Sequence, residues 1–277
     1  MQIGIFAKTF EGTDPQHVLK AVAEAGFACT QYNMACSGLP SMPDDISEEE
    51  ARAVAKASAT TGVSIVAVSG TYNMIHPDIE VRRAGHRRLD VIARQCRTMS
   101  TGLITLCTGT RDAADQWKEH PDNNTPEAWC DLLDAMAVAL DIAERHEVDL
   151  GIEPELANVI NSAEKAHRLI EDLQSPRLKI VLDPANLFER AAPDEQRRIV
   201  ASAIDLLADR IVMAHAKDRN PDGSFATAGK GVLDYPHYLG RLKAIGFDKG
   251  LVTHGLDASE AAGVANFLMQ CLHGAGP

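Results

Sequence analysis

The chain has 277 residues, 45% of them hydrophobic, and a formal charge of −12 from 27 basic and 39 acidic side chains. It is long enough for a full core, and its acidity disfavours a nucleic-acid partner, because affinity for phosphates comes mainly from Lys and Arg. No apolar run approaches the roughly 18 residues of a membrane span, and Met1 to Phe6 lacks the features of a secretory signal. Six scattered cysteines (Cys29, Cys36, Cys96, Cys107, Cys130 and Cys271) show no zinc-finger spacing, so reduced thiols and a cytoplasmic location are expected, with a small molecule as partner.

Short β-branched runs alternate with helical patterns along the whole chain. A strand near 2–7 precedes a helix near 14–25, opened by Asp14 as cap and Pro15 in the first turn. A strand near 27–33 leads to a helix near 47–61, whose start at Ser47 with Glu50 matches a capping box. The third strand, 63–70, is followed by a helix near 78–98 with one apolar stripe, and the fourth strand, 102–107, by a polar loop from Thr108 to Thr125. A stretch of that length without structure of its own reads as part of a site or its lid. A helix then runs from Pro126 to about His146, followed by a strand at 148–153 and a helix loosely bracketed by Ser162 and Glu171. The remaining elements are a strand at 178–183, a helix at 194–208, a strand at 210–216, a helix at 236–245, a strand at 250–254 and a helix at 259–272.

Eight strands alternating with eight helices fit either a closed (β/α)8 barrel or a doubly wound sheet. No dinucleotide fingerprint follows the first strand, and a barrel needs about 250 residues. The expectation is therefore an α/β protein, a (β/α)8 TIM barrel forming one domain over residues 1–277.

Barrel sites sit where the strands end. Four strands in succession end in groups able to do chemistry: Glu153, Asp183, His215 and His254. Singly, each has an ordinary role, as a helix cap or a hydrogen-bonded strand end. Together, two carboxylates and two imidazoles on converging strands suit one divalent ion, Mn²⁺, Mg²⁺, Co²⁺ or Zn²⁺.

These residues, with His215-Ala216-Lys217-Asp218 and the segment Gly229-Lys230-Gly231-Val232-Leu233-Asp234-Tyr235, resemble the sugar isomerase/epimerase superfamily of xylose isomerase-like barrels. The resemblance implies a metal held by Glu153, Asp183, His215 and a ligand on the eighth strand, together with proton abstraction beside a carbonyl to form an enediolate. The chain departs from the pattern at His254, where epimerases of this group usually carry a second Glu, and at Asn186, where many carry a His. His254 is assigned as a ligand, with proton transfer as its alternative role.

Other rim groups complete the expected site. Glu153, besides its ligand role, and Glu155, His76 and Lys217 are candidates for proton transfer or charge support; Arg111, Trp117, Asn186, Lys8 and Gln31 are candidates for holding substrate. The alternative for Glu155 is a solvated loop carboxylate, for His76 a turn residue, and for Trp117 a packed loop anchor. The leading reading is a metal-dependent isomerase or epimerase of a small polyhydroxy carbonyl compound. A lyase acting on an inosose-like or dehydroshikimate-like substrate through the same enolate is the alternative. An endonuclease IV-type phosphodiesterase and a non-catalytic binding barrel follow at a distance, and the family's habit of pairing through barrel faces leaves a homo-oligomer open.

Overall fold

The structure is a computed structural model that describes residues 1–274; the last three residues of the expected 1–277 domain lie outside them. Eight strands close into a parallel barrel: β1 (Gln2–Phe6), β2 (Cys29–Tyr32), β3 (Ser64–Ser69), β4 (Leu103–Leu106), β5 (Asp149–Ile152), β6 (Leu178–Leu182), β7 (Ile211–Ala216) and β10 (Gly250–Thr253). Each strand pairs with its neighbour in chain order, and β10 closes the ring against β1. Between β7 and β10 lies a small antiparallel hairpin, β8 (Asp218–Arg219) and β9 (Phe225–Ala226), which the sequence pattern does not announce.

The outer helices are α1 (Pro15–Glu24), α2 (Glu48–Thr61), α3 (Ile79–Cys96), α4 (Pro126–His146), α5 (Ala163–Leu173), α6 (Pro193–Leu207), α7 (Tyr235–Ala244) and α8 (Ala261–Gly274). Their starts follow local chemistry. Asp14 caps α1 by accepting from the His17 N–H, Thr125 caps α4 by accepting from Ala128, and Ser47 and Glu50 form the reciprocal capping box of α2. A short 3-10 turn, Ala258–Glu260, precedes α8. Among the described residues no helix is long and apolar enough to cross a membrane.

The main core lies between strands and helices, and a second cluster of Ala67, Leu103, Val181, Met213 and Val252 fills the barrel. Side chains two apart on a strand share a face. Val181 therefore sits one layer below Asp183, Met213 below His215, and Val252 below His254, so the apolar plug is the floor on which the polar layer stands. Gly151 occupies the same layer beneath Glu153. A Cβ there would lie 2.8 Å from Val181 Cγ2 and 3.2 Å from Leu103 Cδ1, so the neighbours already fill the space a side chain would take.

The loop from Thr108 to Thr125 is tied down rather than free. The Asn73 amide donates to Thr110 O (2.9 Å) and its carbonyl accepts from Thr110 N (3.1 Å). Asn123 accepts from Arg111 N (2.8 Å) and donates to Ala157 O (2.9 Å), and Asn158 accepts from Gly109 N (2.7 Å). All three asparagines are buried, and further bonds complete their amides: Asn73 to Asp112 O, Thr110 Oγ1 to Asn123 Oδ1 and Asn158 to Gln116 O.

Candidate metal centre and pocket

Glu153, Asp183, His215 and His254 each offer one ligand atom, and these atoms all lie within 4.8 Å of one another. Each residue is placed by its strand end. Glu153 follows β5 directly and its backbone N–H donates to Leu106 O (2.9 Å), which turns the side chain over the barrel mouth. Asp183 follows β6; its Oδ1 accepts from Ala185 N (2.8 Å), leaving Oδ2 toward the two imidazoles. His215 lies within β7 and His254 just past β10.

The ring of His215 is held from both sides. Its Nε2–H donates to Gln31 Oε1 (3.0 Å), while Gln31 Nε2 donates to Thr105 Oγ1 (3.0 Å), so the amide orientation is set and Nδ1 is left facing Glu153 Oε1 (3.2 Å) and Asp183 Oδ2 (3.7 Å). His254 Nε2 lies 3.1 Å from Asp183 Oδ2, and the two imidazole centroids are 4.4 Å apart. Asn186 Nδ2 donates to Glu153 Oε1 (3.0 Å), fixing that carboxylate, while Asn186 Oδ1 is buried without a partner.

Burial pushes the Asp183 carboxyl up, but the His215 and His254 imidazoles outweigh it and hold the group well below the ordinary carboxylate range. Burial pulls His215 down, yet Glu153 and Asp183 outweigh it and lift the ring to about 9. His254 is lowered by burial and by the neighbouring His215, against the pull of Asp183. Burial and the charge of Glu153 push Glu155 up to about 7.

Among the described residues neither Glu153 nor Asp183 has a Lys or Arg at ion-pair distance; imidazoles are the only cationic groups that meet them there. Two carboxylates this deeply set, converging with two imidazoles on one point, form a donor set that fits a divalent cation, whose charge would balance theirs. It is the sole group of its kind among the described residues, which leaves the three-metal arrangement expected of an endonuclease IV-type enzyme without its ligands.

Above the cluster opens a cavity of about 470 Å³, lined by Glu153, Glu155, His215, Lys217, His254 and Trp117 among others. Lys8, from a 3-10 turn (Ala7–Thr9) just past β1, and Gln31, from β2, also reach it. The Gln31 carbonyl is spent on His215, so this residue positions a ring more directly than it meets a substrate. Trp117, half exposed, forms a wall of the cavity.

Three candidates do not line the cavity. Asn186, expected to hold substrate, is buried and spends its amide on Glu153. Arg111, read from the sequence as a substrate guanidinium, turns away to pair with Asp131 (2.6 Å) and to donate to Ile75 O (3.3 Å), where it steadies the loop against α4. His76 does not line the cavity either: its Nε2 donates to Ala113 O (3.1 Å) and its Nδ1 accepts from Asp78 N (3.0 Å), the turn role held as its alternative. Phe225, missed in the sequence, lines the cavity from the β8–β9 hairpin, with Lys217 Nζ 3.2 Å and the Arg219 guanidinium 4.2 Å from its ring centre. A lone Phe in a polar stretch is the one signal that pointed to it.

The segment Gly229-Lys230-Gly231 has a structural use. Asp218, 1% exposed, accepts from the N–H groups of Gly229 and Gly231 (both 3.1 Å), Leu233 (2.9 Å) and Arg219 (2.8 Å). A Cβ at Gly231 would strike Arg219 O and the Asp218 carboxylate, so only glycine lets the backbone close around this group. Those N–H groups are thereby consumed and are not free to cradle a phosphate.

A family model described as "Xylose isomerase-like TIM barrel" matches residues 19–265. No curated relative matches the chain in sequence. Among solved structures, the chain is similar to 3-keto-D-glucoside 4-epimerase, YcjR, from E. coli, at 18% identity and a TM-score of 0.79, over 98% of this chain and 100% of that one. An L-ribulose 3-epimerase superposes with a TM-score of 0.77 at 18% identity, over 99% and 95% of the two chains. The IOLI protein with a binding zinc atom does so with a TM-score of 0.74 at 16% identity, over 100% and 99%. At these identities the likeness speaks for the fold. With its closed eight-stranded barrel and a family match spanning most of its length, the chain belongs to the xylose isomerase-like TIM-barrel family.

Proposed function

We propose that the protein is a divalent-metal-dependent isomerase or epimerase of a small polyhydroxy carbonyl compound. The observation that carries this reading is the convergence of Glu153, Asp183, His215 and His254 at the base of a polar cavity. The similarity to a 3-keto-D-glucoside 4-epimerase, an L-ribulose 3-epimerase and the zinc-binding IOLI protein supports it. A divalent ion held by these four residues would supply Lewis-acid polarisation of a carbonyl and its neighbouring hydroxyl. Glu155, free of any ligand duty and lining the cavity, takes the proton from carbon; Lys217 steadies charge gained by oxygen; Trp117 offers an apolar face to a sugar ring. Lys8 donates to hydroxyls from the opposite wall. Asn186 acts on Glu153, as a positioning residue.

One observation favours a second reading, a lyase. Every carboxylate and imidazole that lines the cavity comes from the ends of β5, β7 and β10, while Lys8 and the buried thiol of Cys107 are the titratable groups on the β1–β4 side. Inversion of a carbon centre needs proton carriers on two faces; transfer along one face, or expulsion of a β-hydroxyl, needs one. The experiment is to incubate metal-loaded protein with a panel of ketoses and inososes in D₂O and follow it by NMR. Exchange of a carbon-bound proton without loss of water supports the isomerase, and loss of water supports the lyase. Both readings fall if protein purified without chelator, and then reconstituted, holds no divalent metal.

A further inference from the structure

The four donors are not interchangeable in chemistry. Carboxylates suit hard cations such as Mg²⁺ and Mn²⁺, whereas imidazole nitrogens suit Zn²⁺ and its neighbours in the first transition row. Here half of the donor set is imidazole, and both rings present a nitrogen to the same Asp183 oxygen, His254 Nε2 at 3.1 Å and His215 Nδ1 at 3.7 Å. With the 3.2 Å separation of His215 Nδ1 from Glu153 Oε1, three donor-to-donor edges fall at 3.1 to 3.7 Å. Donors held about 2.0–2.2 Å from a tetrahedral ion stand about 3.4 Å apart. The remaining separations stay within 4.8 Å, and two donors are preset: Gln31 fixes which nitrogen of His215 faces inward, and Asp183 Oδ1 is already taken by Ala185 N, which leaves Oδ2 for the ion.

We propose that His254 sets the metal preference of this centre, making it a zinc-type, two-imidazole site that discriminates against Mn²⁺ and Mg²⁺. The inference rests on the metal-site reading above and adds to it the identity of the selecting residue. With His254 the ligand charge is −2, which a divalent ion neutralises, whereas a carboxylate at this position would bring a third negative charge and a harder oxygen donor.

The test is a competition titration of metal-free full-length protein with Zn²⁺ and Mn²⁺ against a fluorescent chelator, for wild type and His254→Glu, with circular dichroism as the control for folding. The expected result is a zinc-to-manganese affinity ratio that falls on the order of 10-fold or more in His254→Glu. An unchanged ratio in a folded variant overturns the selectivity role and leaves the metal site itself standing. Wild type that binds neither ion overturns both. X-ray absorption on zinc-loaded wild type gives an answer even where the variant does not fold: two imidazoles in the zinc shell are expected, and a single imidazole overturns the proposal.

Discussion

The carboxylate of Asp218 organises the wall that carries Lys217 and Phe225, and its removal is the sharpest test of how that wall is built. Oδ1 accepts from Arg219 and Leu233, and Oδ2 from Gly229 and Gly231. In Asp218→Asn one oxygen still serves two N–H groups, while the new NH₂ turns two donors toward two others. Losing two charge-assisted bonds costs about 3 kcal/mol at the low end of the range for such bonds. Relief of the carboxylate's burial, which pushes its pKa up, returns some of this, so the net loss is about 2–3 kcal/mol. For a chain of this size that lowers Tm by about 5 °C, read by circular dichroism at neutral pH. Asp209→Asn, an exposed carboxylate on the preceding loop, is the matched control and should stay within about 1 °C. An Asp218→Asn protein as stable as the control would refute the idea that this carboxylate holds the segment closed.

Further outcomes follow from other parts of the molecule. Asp131→Asn leaves Arg82 and Arg111 without their shared partner and should cost about 1–2 kcal/mol, discounted because the carboxylate is one-third exposed. The hydrogen bond from Arg82, together with Arg111, holds the Asp131 carboxyl below its unfolded value; the stabilisation is thus present above that value and fades as pH falls through the folded one, and the variant should show a shallower acid limb in urea titrations. Arg111→Lys should lower Tm without raising KM for the true substrate, and a KM effect alone would return Arg111 to the site. Gly151→Ala overpacks the plug against Val181 and Leu103 and should cost about 1–3 kcal/mol. A sugar-like ligand entering the cavity should change the emission of Trp117 in a Trp129→Phe background, and silence there removes the indole from substrate contact.

Much of the fold was legible because its signals are local. The caps at Asp14, Ser47 and Thr125 act within three residues of themselves, and the strands end where apolar runs meet Glu153, Asp183 and His254. The convergence of those strand ends follows from closing a barrel, so the grouping of these residues at one mouth is legible in the sequence. What could not be read depends on distant partners. Arg111 looked like a free guanidinium in a polar loop because Asp131, on α4, is what claims it. The β8–β9 hairpin has two residues per strand, too few to show any period, and with it went Phe225. The 108–125 loop stands out in the sequence by its length, but its anchoring hangs on amide pairs 34 to 49 residues apart.

Those buried asparagines carry a consequence for how such a barrel can change. Their bonds grip the loop at Gly109 to Arg111 and again at Asn123, and they tie it to the barrel through Asn73 and Asn158. The stretch between them, residues 113–119, is held through its backbone, with His76 donating to Ala113 O and Asn158 to Gln116 O; it contains Gln116 and Trp117, which line the cavity, and its side chains are largely outside the core. Because backbone carbonyls rather than core side chains hold it, a side-chain substitution there alters what the cavity wall offers to a ligand while the strands and the four-residue donor set keep their positions. Selection on substrate preference can therefore act on a few surface residues without disturbing the packing that holds the barrel together.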